Sequence, residues 1–247
     1  SLARGRYLYT SRGCIDCHGR DGAGRVVVDQ GALRIKGPQI APGPDSVTTG
    51  YRPSDWDLAI RHGVRPDGTP LMIMPSQDYN RLTDDDLAAL VAHVRQLPPT
   101  AGGAAELRLP LPMRVLYGFG LIPDAASQID HQLPPQTPVP EGVTVAHGRY
   151  VAQMCVGCHG AGFAGGRIPG APPEWPAAAN LTPGAGGVMG RYPSAETLAA
   201  MMRSGQRPDG GQVQAMPIEA LSHMSDVDVR ALHLYLGTLP ARDFGTR

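Results

Sequence analysis

The sequence predicts an all-α fold: two tandem helical units joined by a proline-rich connector. Three observations carry that expectation. Arg65-Pro66-Asp67-Gly68 returns 142 positions on as Arg207-Pro208-Asp209-Gly210, and Met74-Pro75 and Leu97-Pro98 return at the same offset as Met216-Pro217 and Leu239-Pro240. Each copy carries Cys-x-x-Cys-His. Each copy ends in an apolar stripe of helical period between a capping residue and a proline. The 247 residues suit two small domains, placed here at 1–99 and 143–247, with the connector at 100–142.

Each unit opens on a short helix, since Ala3, Gly5, Arg6 and Tyr7 match Ala146, Gly148, Arg149 and Tyr150. The pentapeptides follow at Cys14, Cys17, His18 and at Cys155, Cys158, His159, using all four cysteines of the chain. Two thiols three positions apart can each form a thioether to one porphyrin, and the adjoining imidazole then faces the iron, so the motif reads as covalent haem attachment. A four-thiolate zinc site is the first competitor, but the two pairs lie 141 positions apart and each carries a His. A redox C-x-x-C is the second, and it has no need of that His.

The closing helices are the best-marked elements. Thr83 offers an N-cap hydroxyl, Asp84, Asp85 and Asp86 favour the positive helix end, and Leu87, Leu90, Val94 and Leu97 share one face before Pro98-Pro99. Ser225, Asp226, Asp228, Val229, Leu232, Leu236 and Leu239 repeat the pattern before Pro240. Each stripe is expected against the first helix of its own unit, with Gly5 or Gly148 allowing close approach. Val26-Val27-Val28 is the only strong β-branched run, too little to predict a sheet. In the connector, the apolar stretch from Met113 to Ile122, with Phe119 and Leu121, is expected to hold the two units together.

A haem iron needs a sixth ligand, and the repeat selects Met74 and Met216, which stand 56 residues after His18 and 57 after His159. Met72 is rejected because its repeat partner is Gln214. His62, His93, His131 and His223 have no histidine at the matching position, which disfavours paired bis-His haems; with His147 and His233 they read as surface or helix histidines. Twenty-two basic residues balance twenty-two acidic ones, so the sequence carries no nucleic-acid footprint. No run of some 18 apolar residues suggests a membrane span. A start at Ser1 rather than Met fits removal of a signal peptide or an anchor.

Together, Ala3-Arg4-Gly5-Arg6-Tyr7-Leu8, Arg-Pro-Asp-Gly, Met-Pro and the Leu82-Thr83-Asp84-Asp85-Asp86-Leu87 helix start resemble bacterial class I cytochromes c with two haem domains in one chain. Such proteins are related to the cytochrome subunits of membrane-bound alcohol, gluconate and aldehyde dehydrogenases. The resemblance implies two covalent haems, with His18 and Met74 axial to one iron and His159 and Met216 to the other. It places Asn180 and Thr182, in Ala179-Asn180-Leu181-Thr182-Pro183, beside haem propionates. The first unit departs there, reading Ala41-Pro42-Gly43-Pro44-Asp45. A carrier is implied, working outside the cytoplasmic membrane between a dehydrogenase or reduced carrier and an oxidase or second cytochrome. A dihaem enzyme of peroxidase or thiosulfate dehydrogenase type, with one catalytic haem, is the alternative.

Overall fold

A computed structural model of the chain describes residues 1–172 and 174–246; Pro173 and Arg247, the latter the expected end of the second unit, lie outside the described residues. In the first unit α1 (Leu2–Ser11) crosses α4 (Asp84–Val94), and in the second α6 (Val145–Ala152) crosses α10 (Asp226–Leu236). The crossings are tight because they occur at glycine: a Cβ on Gly5 would lie 2.0 Å from the Ala89 carbonyl oxygen, and one on Gly148 would lie 1.9 Å from that of Ala231. The closing helices start where the side chains can cap them. Thr83 accepts the Asp86 N–H at 3.1 Å and Ser225 accepts that of Asp228 at 3.1 Å. Between crossing partners sit the short motif helices α2 (Cys14–His18) and α7 (Val156–His159) and the longer α3 (Pro53–His62) and α8 (Ala195–Ser204). The stripe residues Leu87, Leu90, Val94 and Leu97 are buried in one core, and Val229, Leu232 and Leu236 in the other.

The chain is not all-α. β1 (Val26–Gln30) and β2 (Leu33–Lys36) form an antiparallel hairpin, and β3 (Glu106–Arg108) adds to β2 with Ile35 opposite Leu107. The β-branched run nucleates the hairpin, whereas β3 is too short to announce itself. It forms because the segment after Pro98-Pro99 folds back along the first unit, where Glu106 also receives Arg34 at 2.9 Å. The connector differs from expectation in a second way. Its helix α5 (Leu111–Gly118) buries no residue, and Phe119 and Leu121 remain 79% and 69% exposed, so these two side chains do not hold the units together.

The units instead meet directly, through an exchange of repeat-related residues. The Tyr7 hydroxyl donates to Asp228 at 2.6 Å and accepts the Ser225 N–H at 3.0 Å. Tyr150 does the same in the opposite sense, donating to Asp86 at 2.7 Å and accepting the Thr83 N–H at 3.2 Å. Tyr7 and Tyr150, Asp86 and Asp228, and Thr83 and Ser225 are repeat partners, so the interface is isologous within one chain. The motif helices obey the same symmetry: α2 packs on α9 (Ile218–Leu221) and α7 on the 3₁₀ turn Ser76–Asp78, which are themselves repeat partners.

Symmetry fails around the two interface carboxylates. Asp86 is closed by a bidentate Arg4 of its own unit at 2.8 Å, whereas Asp228 receives His147 of its own unit at 2.7 Å and Arg12 of the other at 2.6 Å. His147 is on a helix as expected but buried, because it takes the place of Arg4. Burial raises the Asp228 carboxyl, but Arg12 and the hydrogen bonds from Tyr7, Arg12 and His147 outweigh it and hold the group at about 2.

A hydrogen bond to a carboxylate contributes about 1.5–3 kcal/mol. Tyr7→Phe and Tyr150→Phe should each lower stability by about 1–2 kcal/mol, read from the urea midpoint, and should expose the connector to limited proteolysis. Unchanged midpoints for both would mean that the tyrosines do not bind the units.

Candidate functional site

A cavity lies in each unit, built around the motif helix. Gly13, at φ 87°, turns the chain into α2, and a Cβ on Gly37 would lie 2.0 Å from the Cys17 carbonyl oxygen, so the following strand presses onto that helix. The pressure aims a carbonyl at the motif histidine: Pro38 O lies 3.0 Å from His18 Nδ1, and Ala179 O lies 2.8 Å from His159 Nδ1. A carbonyl can only accept, so Nδ1 carries the proton in each ring and Nε2 is the unprotonated nitrogen, the one able to ligate a metal.

The first cavity, of about 800 Å³ counted to its open mouth, has Cys14, His18 and Met74 in its wall with Leu8, Tyr51, Trp56 and Tyr79. The second, of about 1290 Å³, has Cys155, Cys158, His159 and Met216, with Met202 and Tyr192. Cys17 is half-buried on α2 outside the first wall, and Met72 is outside it as well. Both selected methionines precede the same backbone device. Pro75 (φ −80°, ψ 60°) and Pro217 (φ −76°, ψ 67°) adopt inverse γ-turns, with Ser76 N–H on Met74 O and Ile218 N–H on Met216 O, both at 2.8 Å. The turn reverses the chain immediately after each thioether and explains why proline recurs there.

Asn180 and Thr182 lie outside the wall of the second cavity. Both are fully buried, and their polar atoms are spent on backbone: Asn180 Nδ2 donates to Ala185 O at 3.1 Å and Arg242 O at 2.8 Å, while Thr182 Oγ1 accepts the Arg242 N–H at 3.1 Å. In this structure both side chains bond within the protein, and a place beside haem propionates stays an expectation. These side chains tie the loop whose preceding carbonyl, that of Ala179, orients His159. The first unit has an equivalent after all, offset by 141 rather than at Ala41–Asp45. Buried Gln39 follows Pro38 and donates to Ala41 O at 3.2 Å and Thr100 O at 2.8 Å. Matching Gln39-Ile40-Ala41-Pro42 to Asn180-Leu181-Thr182-Pro183 was the available signal. Tyr51 and Tyr192, at the same offset in the two walls, were likewise detectable but missed. Arg191 and Arg207 also line the second cavity, and nothing in their spacing alone marks them.

The thiols are poorly suited to the competing chemistries. Burial pushes Cys14 and Cys155 each up to about 12, and raises Cys17, whereas redox and zinc-binding cysteines need an accessible thiolate. Among the described residues all four cysteines are unbridged, and none of the clusters of His, Cys, Asp and Glu suits a metal ion.

The cytochrome c family model matches residues 2–98 and again 145–240. The chain belongs to the cytochrome c family. Among its relatives are the cytochrome c subunit of a quinone alcohol dehydrogenase from Gluconobacter oxydans, 28% identical with 97% of this chain and 55% of the relative aligned, and a diheme c-type cytochrome from Cereibacter sphaeroides, 28% identical over 97% and 86%. The cytochrome c subunit of a gluconate 2-dehydrogenase from Pantoea cypripedii is 26% identical over 98% and 60%. The chain thus spans little more than half the length of these two dehydrogenase subunits. The family's cofactor, covalent haem c, fits both cavities on the observations above: half-buried thiols at a motif helix, an imidazole held through Nδ1, a methionine in the same wall and largely apolar walls.

The interface reaches the second motif directly, where Gly157 N–H donates to Asp78 Oδ1 at 2.6 Å. Burial raises the Asp78 carboxyl to about 7 in spite of that bond. With the folded value above the unfolded one, near 3.8, ionisation of Asp78 opposes folding increasingly as pH rises between the two. Asp78→Asn keeps an acceptor for Gly157 and should stabilise the protein more at about pH 8 than at about pH 4, measured by denaturant unfolding. A gain independent of pH would show that the Asp78 charge carries no penalty.

Proposed function

We propose that the chain is a dihaem electron carrier and not itself an enzyme, with one covalent haem c in the 1–99 unit and one in the 143–247 unit. Cys14 and Cys17 would hold the first by thioethers, with His18 and Met74 on the iron; Cys155 and Cys158 would hold the second, with His159 and Met216. The observation that carries this reading is the convergence of a motif histidine and a repeat-matched methionine on each of two separate cavities. When bound, the haem supplies one-electron Fe(III)/Fe(II) chemistry. The chain's residues determine how that chemistry is used. His18 and His159 are locked in orientation by the carbonyls of Pro38 and Ala179, so ligation changes little between oxidation states. Met74 and Met216 would be the second protein ligands, which would leave no open position for a substrate, and neutral thioether ligation favours the reduced iron. The apolar walls exclude water. Arg191 and Arg207 bring positive charge to the second cavity, where haem carboxylates need a partner.

The relatives' names support a dehydrogenase as donor, with an oxidase or another cytochrome as acceptor. We place the protein on the periplasmic side, tied to the cytoplasmic membrane through an anchor outside this sequence. No helix among the described residues is long and apolar enough to cross a membrane.

Matured in a host with haem-attachment machinery, the protein should weigh two haems more than its polypeptide and show a methionine-to-iron charge-transfer band from both. Met74→His should lower one potential and remove one band, while Met72→Leu should change neither; the reverse outcome would move the ligand to Met72. Without a partner, alcohols, sugars, thiosulfate or peroxide should give negligible turnover. Rapid turnover of thiosulfate or peroxide would replace the carrier by a dihaem enzyme.

A further inference from the structure

The repeat is least faithful between the first helix and the motif. Seven positions separate Tyr7 from Cys14 but five separate Tyr150 from Cys155, so Arg12 belongs to a two-residue excess that the second unit lacks. Arg12 lies in the wall of the first cavity and is 6% exposed. Its carbonyl accepts the Tyr79 hydroxyl at 2.6 Å, and Tyr79 lines the same cavity, so the backbone of Arg12 is pinned there. Its guanidinium crosses the interface to Asp228, whose other partners are Tyr7 and His147. Asp228 is outside the cavity wall. The first site therefore has a wall residue whose buried positive charge is paired with a carboxylate that is not in the wall.

Among the described residues no equivalent buried cation lines the second cavity, although Arg12 also acts across the interface on Cys155 of that site. Arg191 and Arg207 line that cavity but are 58% and 43% exposed and share Asp209, so solvent and counter-charge screen them. The charge that the first unit presents to α7 is the Asp78 carboxyl on Gly157 N–H, of opposite sign to Arg12. On the first side Glu219 faces α2 but is exposed and bridged to Arg25 at 2.9 Å. Ferric haem carries one positive charge more than ferrous haem, and a buried cation acts on it through a lower effective dielectric than an exposed one.

We propose that Arg12, held in place by Asp228 of the other unit, sets the first haem site as the higher-potential one, so that electrons enter at the second unit and come to rest at the first. The inference builds on the dihaem reading above. In the internal step one electron leaves Fe(II) of the second site and reduces Fe(III) of the first, with no proton moved; a reduced dehydrogenase restores the second site and an oxidised acceptor drains the first. Arg12 is a positioning and tuning residue, since it works through its charge.

The test is a spectroelectrochemical titration of the intact dihaem protein, with the first haem identified as the one displaced by Met74→His. The wild type should show two waves with the first haem higher. Arg12→Met should lower the first haem's potential more than the second's, Arg12→Lys should keep most of the separation, and Asp228→Asn should raise the first haem's potential by uncovering the guanidinium. Tyr7→Phe, which loosens the same interface without changing charge, should leave both waves in place. Opposite signs for Arg12→Met and Asp228→Asn are the signature of a charge effect. Shifts of the same sign, a shift as large with Tyr7→Phe, or a second haem at the higher potential would each overturn the proposal. A mass lacking one or both haems would instead refute the dihaem reading.

Discussion

One carboxylate per unit organises the molecule. Asp86 and Asp228 occupy the third position of their helices, where a negative charge suits the helix dipole and the capping hydroxyl takes the backbone N–H. The same carboxylates close each unit on its first helix, through Arg4 or His147, and accept the tyrosine hydroxyl of the opposite unit. Helix start, intra-unit crossing and inter-unit docking therefore share one group. Removing a partner from such a buried cluster costs more than the bond itself, because a desolvated charge is left behind. The glycine crossings at Gly5 and Gly148 bring the backbones close enough for the carboxylates to reach all of these partners.

Upon that frame the two cavities are assembled from the same parts: a short motif helix, a carbonyl on Nδ1, a γ-turn after the methionine, and a buried amide tying the intervening loop to the unit's end. Gln39 and Asn180 differ in length and reach different backbone oxygens, yet both hold the loop whose preceding carbonyl orients the histidine. With only three Phe and two Trp in 247 residues, the polypeptide has few large side chains with which to fill these spaces. A covalent macrocycle in each would complete the cores, so cofactor and fold support one another.

The departures from symmetry matter as much as the repeat. Replacing Arg4 by His147 at the matched place leaves room in the charge balance of Asp228, and Arg12 fills it from across the interface. The result is an interface whose halves share hydrogen-bond geometry but differ in charge. The connector contributes elsewhere, lending β3 to the first unit and leaving α5 largely exposed.

By itself the sequence determined whatever depends on local chemistry or on comparing one unit with the other. The gathering of His18 with Met74 and of His159 with Met216 in one wall each, the caps at Thr83 and Ser225, and the glycines at the crossings were all legible, because capping and helical period act over a few residues and the repeat supplied a second copy to check them. The backbone hydrogen bonds of Asn180 and Thr182 were not, since a buried amide reads the same in the sequence whether it faces a ligand or a backbone. The tertiary structure alone decided the β3 pairing, the exposure of Phe119 and Leu121, and the joining of Tyr7, Arg12 and His147 on Asp228. Those partners are separated by 81 to 221 positions. Their meeting depends on how two folded units pack, a balance of burial and charge pairing that no local pattern encodes.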